Sequence, residues 1–286
     1  MHILAKAKVN LCLHVQAPDH RGYHPLQSLV AFADIGDDIV FEAGGEGDLL
    51  TIDGSFAAGL SAGEDNLILK ALRRFEAETG VAVTHRIRLN KNLPLAAGVG
   101  GGSADAGAVL RGLRAHYAPD MPDAVLEAIA ASTGADGVMC LWSKAAVAEG
   151  YGEKLSFAEL PVLDCVLINP LVPSPTAEVY GTYDRLGRFP ASDSLSLPES
   201  SKGAAGLIDW LKVGRNDLEA PAIALNPLIG EVLASIRSLP YTQLARLSGS
   251  GATCFALCAS AEDAAALKAA LGALWPQAWI RACRLE

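Results

Sequence analysis

The stretch Leu93–Leu110, LPLAAGVGGGSADAGAVL, places five glycines within the ten residues from Gly98 to Gly107. A backbone this bare gives up more conformational freedom on folding than one carrying side chains. It is worth keeping only where something must come close to the main chain. Beyond Ser103, Ala104, Ala108, Leu110 and Leu113 follow helical spacing to about His116. A glycine loop that runs into a helix N-terminus suits a phosphate: the N–H groups point outward, the helix dipole is positive there, and no Cβ blocks the approach. Ser103 is placed to cap that helix. A tight structural turn is the competing reading, although one or two glycines would serve it. Two familiar templates fail on counting. From Gly98 and Gly100 the third glycine of G-x-G-x-x-G falls on Ser103, and no Gly-Lys-Ser/Thr follows, so neither a dinucleotide fold nor a P-loop is supported.

The 286 residues suffice for one large domain or two ordinary ones. Hydrophobic residues make up 51% and charged residues 19%, the balance of a globular chain. No apolar run reaches the ~18 residues of a membrane span. The opening MHILAKAKVN lacks the apolar centre of a signal peptide, so a cytoplasmic protein without a membrane partner is expected. The net charge is −9 and Lys and Arg are scattered, which argues against nucleic acid. Cys12, Cys140, Cys165, Cys254, Cys258 and Cys283 include no C-x-x-C pair, so buried free thiols are expected rather than zinc ligands.

Along the chain, KVNLCLHV (8–15) and DIVFEA (38–43) alternate as strands do, with DHRGYH (19–24) as a turn. Asp65 or Asn66 caps a helix, LILKALRRFEAETG, that ends at Gly80. THRIRLN reads as a strand. A helix over 122–133 stops at Gly134, and GADGVMCLW (134–142) and AAVAEGYGEKL (145–155) read as strand-like. From about residue 158 the order starts afresh. VLDCVLINP is a buried strand, SPTAEVYGTYDRL a helix with Pro175 at its start, and 187–206 a mobile loop rich in Ser, Gly and Pro. Helices to about Arg237, a strand–glycine turn–strand in LARLSGSGATCFALC, a helix in AEDAAALKAALGAL and a last strand complete the chain. Strands and helices mix without regular alternation, which predicts an α+β fold with mostly antiparallel sheets. The expected domains are 1–157 and 158–286.

Pro94, Gly98, Gly100, Gly102, Ser103 and Ala104 fit the form P-x-x-x-G-x-G-S/G-S-x-A, which resembles the second motif of the GHMP kinases. LSGSGATCFAL looks like the third motif. AKVNLCLHV with GYHPLQSL, then EDNLI, SPTAEVY and GRNDLE, resemble segments of one family within that group, the 4-diphosphocytidyl-2-C-methyl-D-erythritol kinases. The resemblance spans nearly the whole chain in order. It implies a two-domain GHMP fold with the active site in the interdomain cleft. It also implies ATP-dependent phosphorylation of the 2-hydroxyl of that cytidyl polyol, in the route to isoprenoid precursors that does not use mevalonate.

Residue by residue, the resemblance makes Asp136 the base that takes the hydroxyl proton and Lys8 the cation that stabilises developing charge. Taken alone, Asp136 reads as a helix or turn cap, a reading that only the motif context reverses, and Lys8 reads as a solvent-facing strand lysine. Asn10 shares the face of Lys8 on the strand and would hold substrate. Tyr23 and His24 match positions that hold the cytidine, with Tyr180 as a second aromatic wall and Thr176 hydrogen-bonding nearby; GYH also reads as a plain turn. Asn66 and Lys91 match residues bordering adenine and ribose. Pro94, Gly98, Gly100, Gly101, Gly102, Ser103 and Ala104 would cradle the triphosphate, and Ser248, Gly249, Ser250 and Gly251 would form a second small loop. ATP is the implied co-substrate and Mg2+ is expected with it, its protein ligands unassigned. The partners implied are these small molecules, with the chain a monomer or homodimer.

Two departures stand out. After Asp136 the family pattern has Val-Pro, and here Gly137-Val138 follows. Position 105 is aspartate where many GHMP loops have Ser or Asn; it either turns away from bound phosphate or helps hold magnesium. The competing functions are another GHMP kinase, of the homoserine or mevalonate type, and a non-catalytic nucleotide-binding GHMP-like protein. GYH argues against the first, and the presence of both Lys8 and Asp136 against the second.

Overall fold

The structure is a computed structural model that describes residues 1–44, 47–190, 197 and 203–286. The chain divides into two compact units, each built from separate stretches of sequence.

The first unit comprises Met1–Lys8, Ile35–Leu95 and Gly100–Ser143. Its sheet is made by the start of β1 (His2–Val15), the end of β2 (Leu26–Glu42), β3 (Leu50–Asp53) and β4 (Arg86–Asn90). β3 runs parallel to β4, and β4 runs antiparallel to β2, from Asp38 opposite Asn90 to Glu42 opposite Arg86. The strand period of two buries Ile39 and Phe41 on β2 and Ile87 and Leu89 on β4. The helices are α1 (Leu67–Thr79), α2 (Gly101–Tyr117), α3 (Asp123–Ala131) and α4 (Gly137–Trp142). The expected cap of α1 is present: Asn66 Oδ1 accepts the Ile68 N–H at 2.9 Å, and Gly80, at φ +69°, closes the other end onto Glu76 O. Ile68, Leu69, Ala71, Leu72 and Phe75 bury one face of α1, which packs on α2.

The second unit comprises Val9–Asp34, Ala96–Val99 and Lys144–Glu286. In it, β5 (Ala146–Gly150) pairs antiparallel with the start of β2 and with β6 (Lys154–Phe157). β10 (Trp279–Leu285) meets β2 at Ala33 opposite Leu285, then the antiparallel order continues through β7 (Leu163–Asn169), β9 (Cys254–Leu257) and β8 (Leu244–Leu247). Its helices are α5 (Thr176–Leu186), α6 (Gly203–Val213), α7 (Glu219–Leu225), α8 (Pro227–Ser238) and α9 (Ala261–Leu274). Val166, Ile168, Leu233, Ile236, Leu247, Leu267 and Leu271 are among the side chains of its core. The mixed fold with mostly antiparallel sheets is the one expected. All six cysteines are buried free thiols. No helix among the described residues is long and apolar enough to cross a membrane.

Three local expectations are corrected. GADGVMCLW is not a strand: Gly137–Trp142 is helix α4, with the Cys140 N–H closing on Asp136 O at 2.9 Å. A short apolar run carries no period, so a buried helical turn and a buried strand look alike in it. Helix α2 begins at Gly101, so its N-cap is Gly100, at φ +65° and without a side-chain bond, rather than Ser103. Ser103 lies inside the first turn. Most of 187–206, read as a loop, lies outside the described residues, but its end starts helix α6, where Leu207, Ile208 and Leu211 find a buried face.

α4 reaches α2 because Gly107 has no side chain. A Cβ there would stand 2.7 Å from Cys140 O and 2.8 Å from Leu141 N, both main-chain atoms that cannot swing away. Gly107→Ala should therefore destabilise the protein by roughly 1–3 kcal/mol through overpacking, read as a lower urea midpoint at unchanged m-value.

Candidate active site

The glycine loop is shaped by its own protein before any ligand arrives. Gly98 and Gly100 take φ of +74° and +65°, where a Cβ is strained. A Cβ on Gly98 would also collide with Ser248 O and lie 2.8 Å from Gly251 O. A Cβ on Gly100 would be 3.3 Å from Lys8 Cβ. One on Gly101 would meet Lys91 Nζ at 3.1 Å. Pro94 and Ala104 are buried, while Gly102 is exposed and Gly101 and Ser103 are half-buried. The Ala104 N–H closes the first α2 hydrogen bond, on Gly100 O at 2.8 Å. The amides of Gly101, Gly102 and Ser103 precede that bond and have no carbonyl of the helix to bind. They are a set of convergent donors at a positive helix end.

Beside Gly100 stands an ion pair. Lys8 Nζ, on β1, donates to Asp136 Oδ2 at 2.9 Å. The lysine side chain is 8% exposed and the aspartate 34%. Burial works against the Lys8 charge, but Asp136, by charge and hydrogen bond, together with the Cys140 thiol, more than compensates, and its pKa ends above the usual lysine value. Asp136 occupies the N-cap position of α4 yet makes no side-chain cap bond. Its carboxylate is thus held by Lys8 rather than by the helix it precedes, and Lys8 is no solvent-facing lysine. The Gly137 that departs from the family pattern has a steric reason, since a Cβ there would collide with Ala130 O.

Lys91 is buried and its Nζ donates to Asp37 Oδ2 at 2.6 Å and to Asp105 Oδ2 at 2.7 Å. Burial holds the Asp105 pKa above the usual carboxylate range, against the pull of Lys91. Burial also opposes the Lys91 charge, but Asp105 and Asp37 keep its pKa raised. Asn66, half-buried, is engaged at both ends of its amide, by the Ile68 N–H and by Ser61 O.

In the second unit, Asn10 is buried and its orientation is fixed. Its Nδ2 donates to Ser28 Oγ at 2.8 Å, and Ser28 in turn donates to Cys12 O at 2.6 Å. Asn10 Oδ1 is buried with no partner. The Asn10 N–H reaches Ser248 Oγ at 3.2 Å, and Ser248 Oγ donates to Gly98 O at 3.0 Å. The Ser248–Gly251 turn between β8 and β9 is tied down by Asn216 Nδ2, which donates to Leu247 O and Gly249 O, both at 2.8 Å. Thr176 Oγ1 lies 2.9 Å from Ser250 Oγ. The Tyr23 residue is 63% exposed. Its ring stands 6.1 Å from that of Tyr151, edge to face, with the Arg21 guanidinium 5.7 Å from its centroid. His24 is buried, with Nδ1 on Gln16 O at 2.8 Å, Nε2 3.1 Å from Asp184 Oδ1, and the Tyr180 ring 5.2 Å away. The structure thus brings together His24 with Tyr180, Thr176 with Ser250, and Asn10 with Ser248. Asp37, Ser28, Asn216 and Asp184 were missed by the sequence reading.

Two family models match the chain: the GHMP kinases N terminal domain over residues 66–144 and the GHMP kinases C terminal domain over 204–277. Fold and models together define a GHMP-type small-molecule kinase, for which ATP is the co-substrate. A 4-diphosphocytidyl-2-C-methyl-D-erythritol kinase of Caulobacter vibrioides (strain NA1000 / CB15N) is 48% identical over 286 residues, spanning 99% of this chain and 98% of its own length. One from Paramagnetospirillum magneticum (strain ATCC 700264 / AMB-1) is 45% identical over 284 residues, spanning 99% and 98%. A crystal structure of 4-(cytidine 5'-diphospho)-2C-methyl-D-erythritol kinase superposes with a TM-score of 0.80 at 34% identity, over 100% of this chain and 99% of that one. The chain belongs to the 4-diphosphocytidyl-2-C-methyl-D-erythritol kinase family.

The loop geometry separates two glycines by their neighbours. A Cβ at Gly102 would meet only the flexible tip of Leu67, at 3.3 Å. Gly102→Ala should leave stability within about 1 kcal/mol of the parent. Gly98→Ala combines an unfavourable φ with a backbone collision and should cost roughly 2–4 kcal/mol. Paired urea titrations read both.

Proposed function

We propose that this kinase transfers the γ-phosphoryl group of ATP to the 2-hydroxyl of 4-diphosphocytidyl-2-C-methyl-D-erythritol. The observation that carries the reading is the Lys8–Asp136 pair, 2.9 Å apart, with the aspartate free of any capping bond. A tertiary hydroxyl is a weak nucleophile at neutral pH. Asp136 would accept its proton as the oxygen bonds to phosphorus and the bond to the ADP oxygen breaks. Lys8, kept charged by its partner, would stabilise the negative charge that develops there. The amides of Gly101, Gly102 and Ser103 would hold the triphosphate. Asn10, Tyr23, His24, Thr176 and Tyr180 would hold the cytidyl substrate. Because both His24 ring nitrogens already face acceptors, its ring is suited to positioning Tyr180, and the main chain at His24 to reading the base edge.

Among the described residues no three His, Cys, Asp or Glu side chains gather to hold a metal by themselves. Mg2+ bound chiefly through nucleotide phosphates asks for no such cluster, and the Ser103 hydroxyl is the protein oxygen proposed to complete its shell. The ion would neutralise charge on the transferring phosphate. The proposed setting is the cytoplasm, with the chain as monomer or homodimer and with small molecules rather than nucleic acid as partners, the last in keeping with the net charge of −9. The division at 157/158 is kept as a proposal, supported by family models that end at residue 144 and begin at 204.

Asp136→Asn keeps the shape and removes the proton acceptor. Turnover should fall by ~10² or more with little change in substrate affinity. Lys8→Met should lower turnover by ~10²–10³. A variant of either kind within about threefold of the parent takes that residue out of the chemistry.

The identity of the substrate is tested by ATP consumption across the cytidyl polyol, homoserine and mevalonate. Only the first should be turned over efficiently, and CDP should compete where UDP does so poorly. Tyr23→Ala should raise KM for the cytidyl substrate by the ~1–2 kcal/mol of one stacking contact, roughly tenfold, and leave KM for ATP unmoved. Equal turnover of homoserine or mevalonate would leave the family and remove the substrate.

A further inference from the structure

Lys91 matches a position that borders the nucleotide, yet its ammonium faces into the protein. Antiparallel pairing runs Phe41 opposite Ile87, Ile39 opposite Leu89 and Asp38 opposite Asn90. One more step of that register sets Asp37 opposite Lys91. Asp37 shares the buried parity of Ile39 and Phe41, and Lys91 that of Ile87 and Leu89. The sheet therefore turns a carboxylate and an ammonium inward together, where each needs the other.

Asp37 is fully buried and accepts from three consecutive residues. Oδ1 takes the N–H of Asn92 at 2.6 Å and of Leu93 at 2.8 Å, and Oδ2 takes Lys91 Nζ at 2.6 Å. These three residues immediately precede Pro94, the first residue of the glycine loop. The same ammonium donates to Asp105 Oδ2, and Asp105 lies one turn into α2, just past the loop's exit. Nζ stands 3.1 Å from where a Gly101 Cβ would be, directly behind the first residue of the helix.

We propose that Asp37, Lys91 and Asp105 form a buried strut that fastens the entry and the exit of the glycine loop to one ammonium and so sets the position of the amides that receive the nucleotide's phosphates. They are positioning residues. Lys91 acts from behind the loop, and Asp105 meets it through Oδ2. The proposal rests on the nucleotide role given to the loop above.

The measurement is a steady-state split of KM for ATP, KM for the cytidyl polyol and kcat, with a melting curve for each variant. Asp105→Ala keeps helix propensity and deletes one anchor. It should raise KM for ATP by about tenfold or more, since small misplacements of binding groups are costly, and leave KM for the polyol within about twofold. Asp105→Asn keeps an acceptor oxygen for Nζ and should return KM for ATP to within about threefold of the parent. Lys91→Met strands two buried carboxylates and is expected to fail to fold, so the Asp105 pair carries the decision. An unchanged KM for ATP in Asp105→Ala overturns the strut. So does a rise in both KM values together, which would mark a general loss of structure, or an Asp105→Asn variant no better than Asp105→Ala. Gly102→Ala is the control for the underlying reading. If it leaves ATP binding intact, the loop is a turn and the strut's role falls with it. If it weakens ATP binding while Asp105→Ala does not, only the strut is lost.

Discussion

A lysine taken out of water keeps its charge only if a carboxylate meets it, and the packing of α4 on α2 arranges that meeting at Lys8. Desolvating the ammonium costs several kcal/mol, which the 2.9 Å contact with Asp136 must offset. Asp136 gets there on the end of α4, and α4 gets there because two glycines let main chain approach main chain. Gly107 admits the Cys140 carbonyl, and Gly137 admits that of Ala130. Gly100 then passes over the lysine stem, 3.3 Å from where its own Cβ would lie. Two glycines of α2 and its cap and one at the start of α4 thus converge on one ion pair. This also accounts for Gly137 where the family pattern has valine, since the packing leaves no room for a side chain there.

The same logic divides the glycine loop between two masters. At Gly102 only the tip of Leu67 is near, so the proposed phosphate role is the stronger reason for a bare amide there. That role does not explain Gly98, which is pressed against Ser248 and Gly251, nor all of Gly101, which is backed by Lys91. Counting glycines in a sequence cannot separate a residue kept small for a phosphate from one kept small for a neighbouring carbonyl. Only the location of the nearest atoms does so.

Much was legible before any coordinates. The cap at Asn66 and the stop at Gly80 follow from side-chain chemistry that acts within a few residues, and they are present as expected. The antiparallel mixed fold follows from the order of elements. The pairing of Lys8 with Asp136 spans 128 positions and was legible only through a resemblance. The failures share a cause. GADGVMCLW has no period to read, and the start of α2 depends on a positive φ at Gly100 that no helix propensity encodes. Asp37 did leave a signal: in DDIVFE it falls on the apolar parity of Ile39 and Phe41, where an unpartnered charge would be intolerable. Lys91 does the same after Ile87 and Leu89. Two opposite charges that both break the inward pattern of neighbouring strands point to each other.

Asn10 has an orientation fixed by its neighbours. Its Nδ2 must face Ser28, because the Ser28 hydroxyl has its proton on Cys12 O and can only accept from the amide. The amide cannot flip, and Oδ1 is left buried with nothing to receive. An isolated buried acceptor costs roughly 1–3 kcal/mol. Such an atom repels an anion and welcomes a donor, so it does not suit phosphate and does suit a hydroxyl or an amine. A folded protein that keeps it unpaired stands to recover that energy when a donor arrives. Under the substrate role proposed for Asn10, a hydroxyl donor would gain from Oδ1 what a phosphate group placed at the same atom would lose.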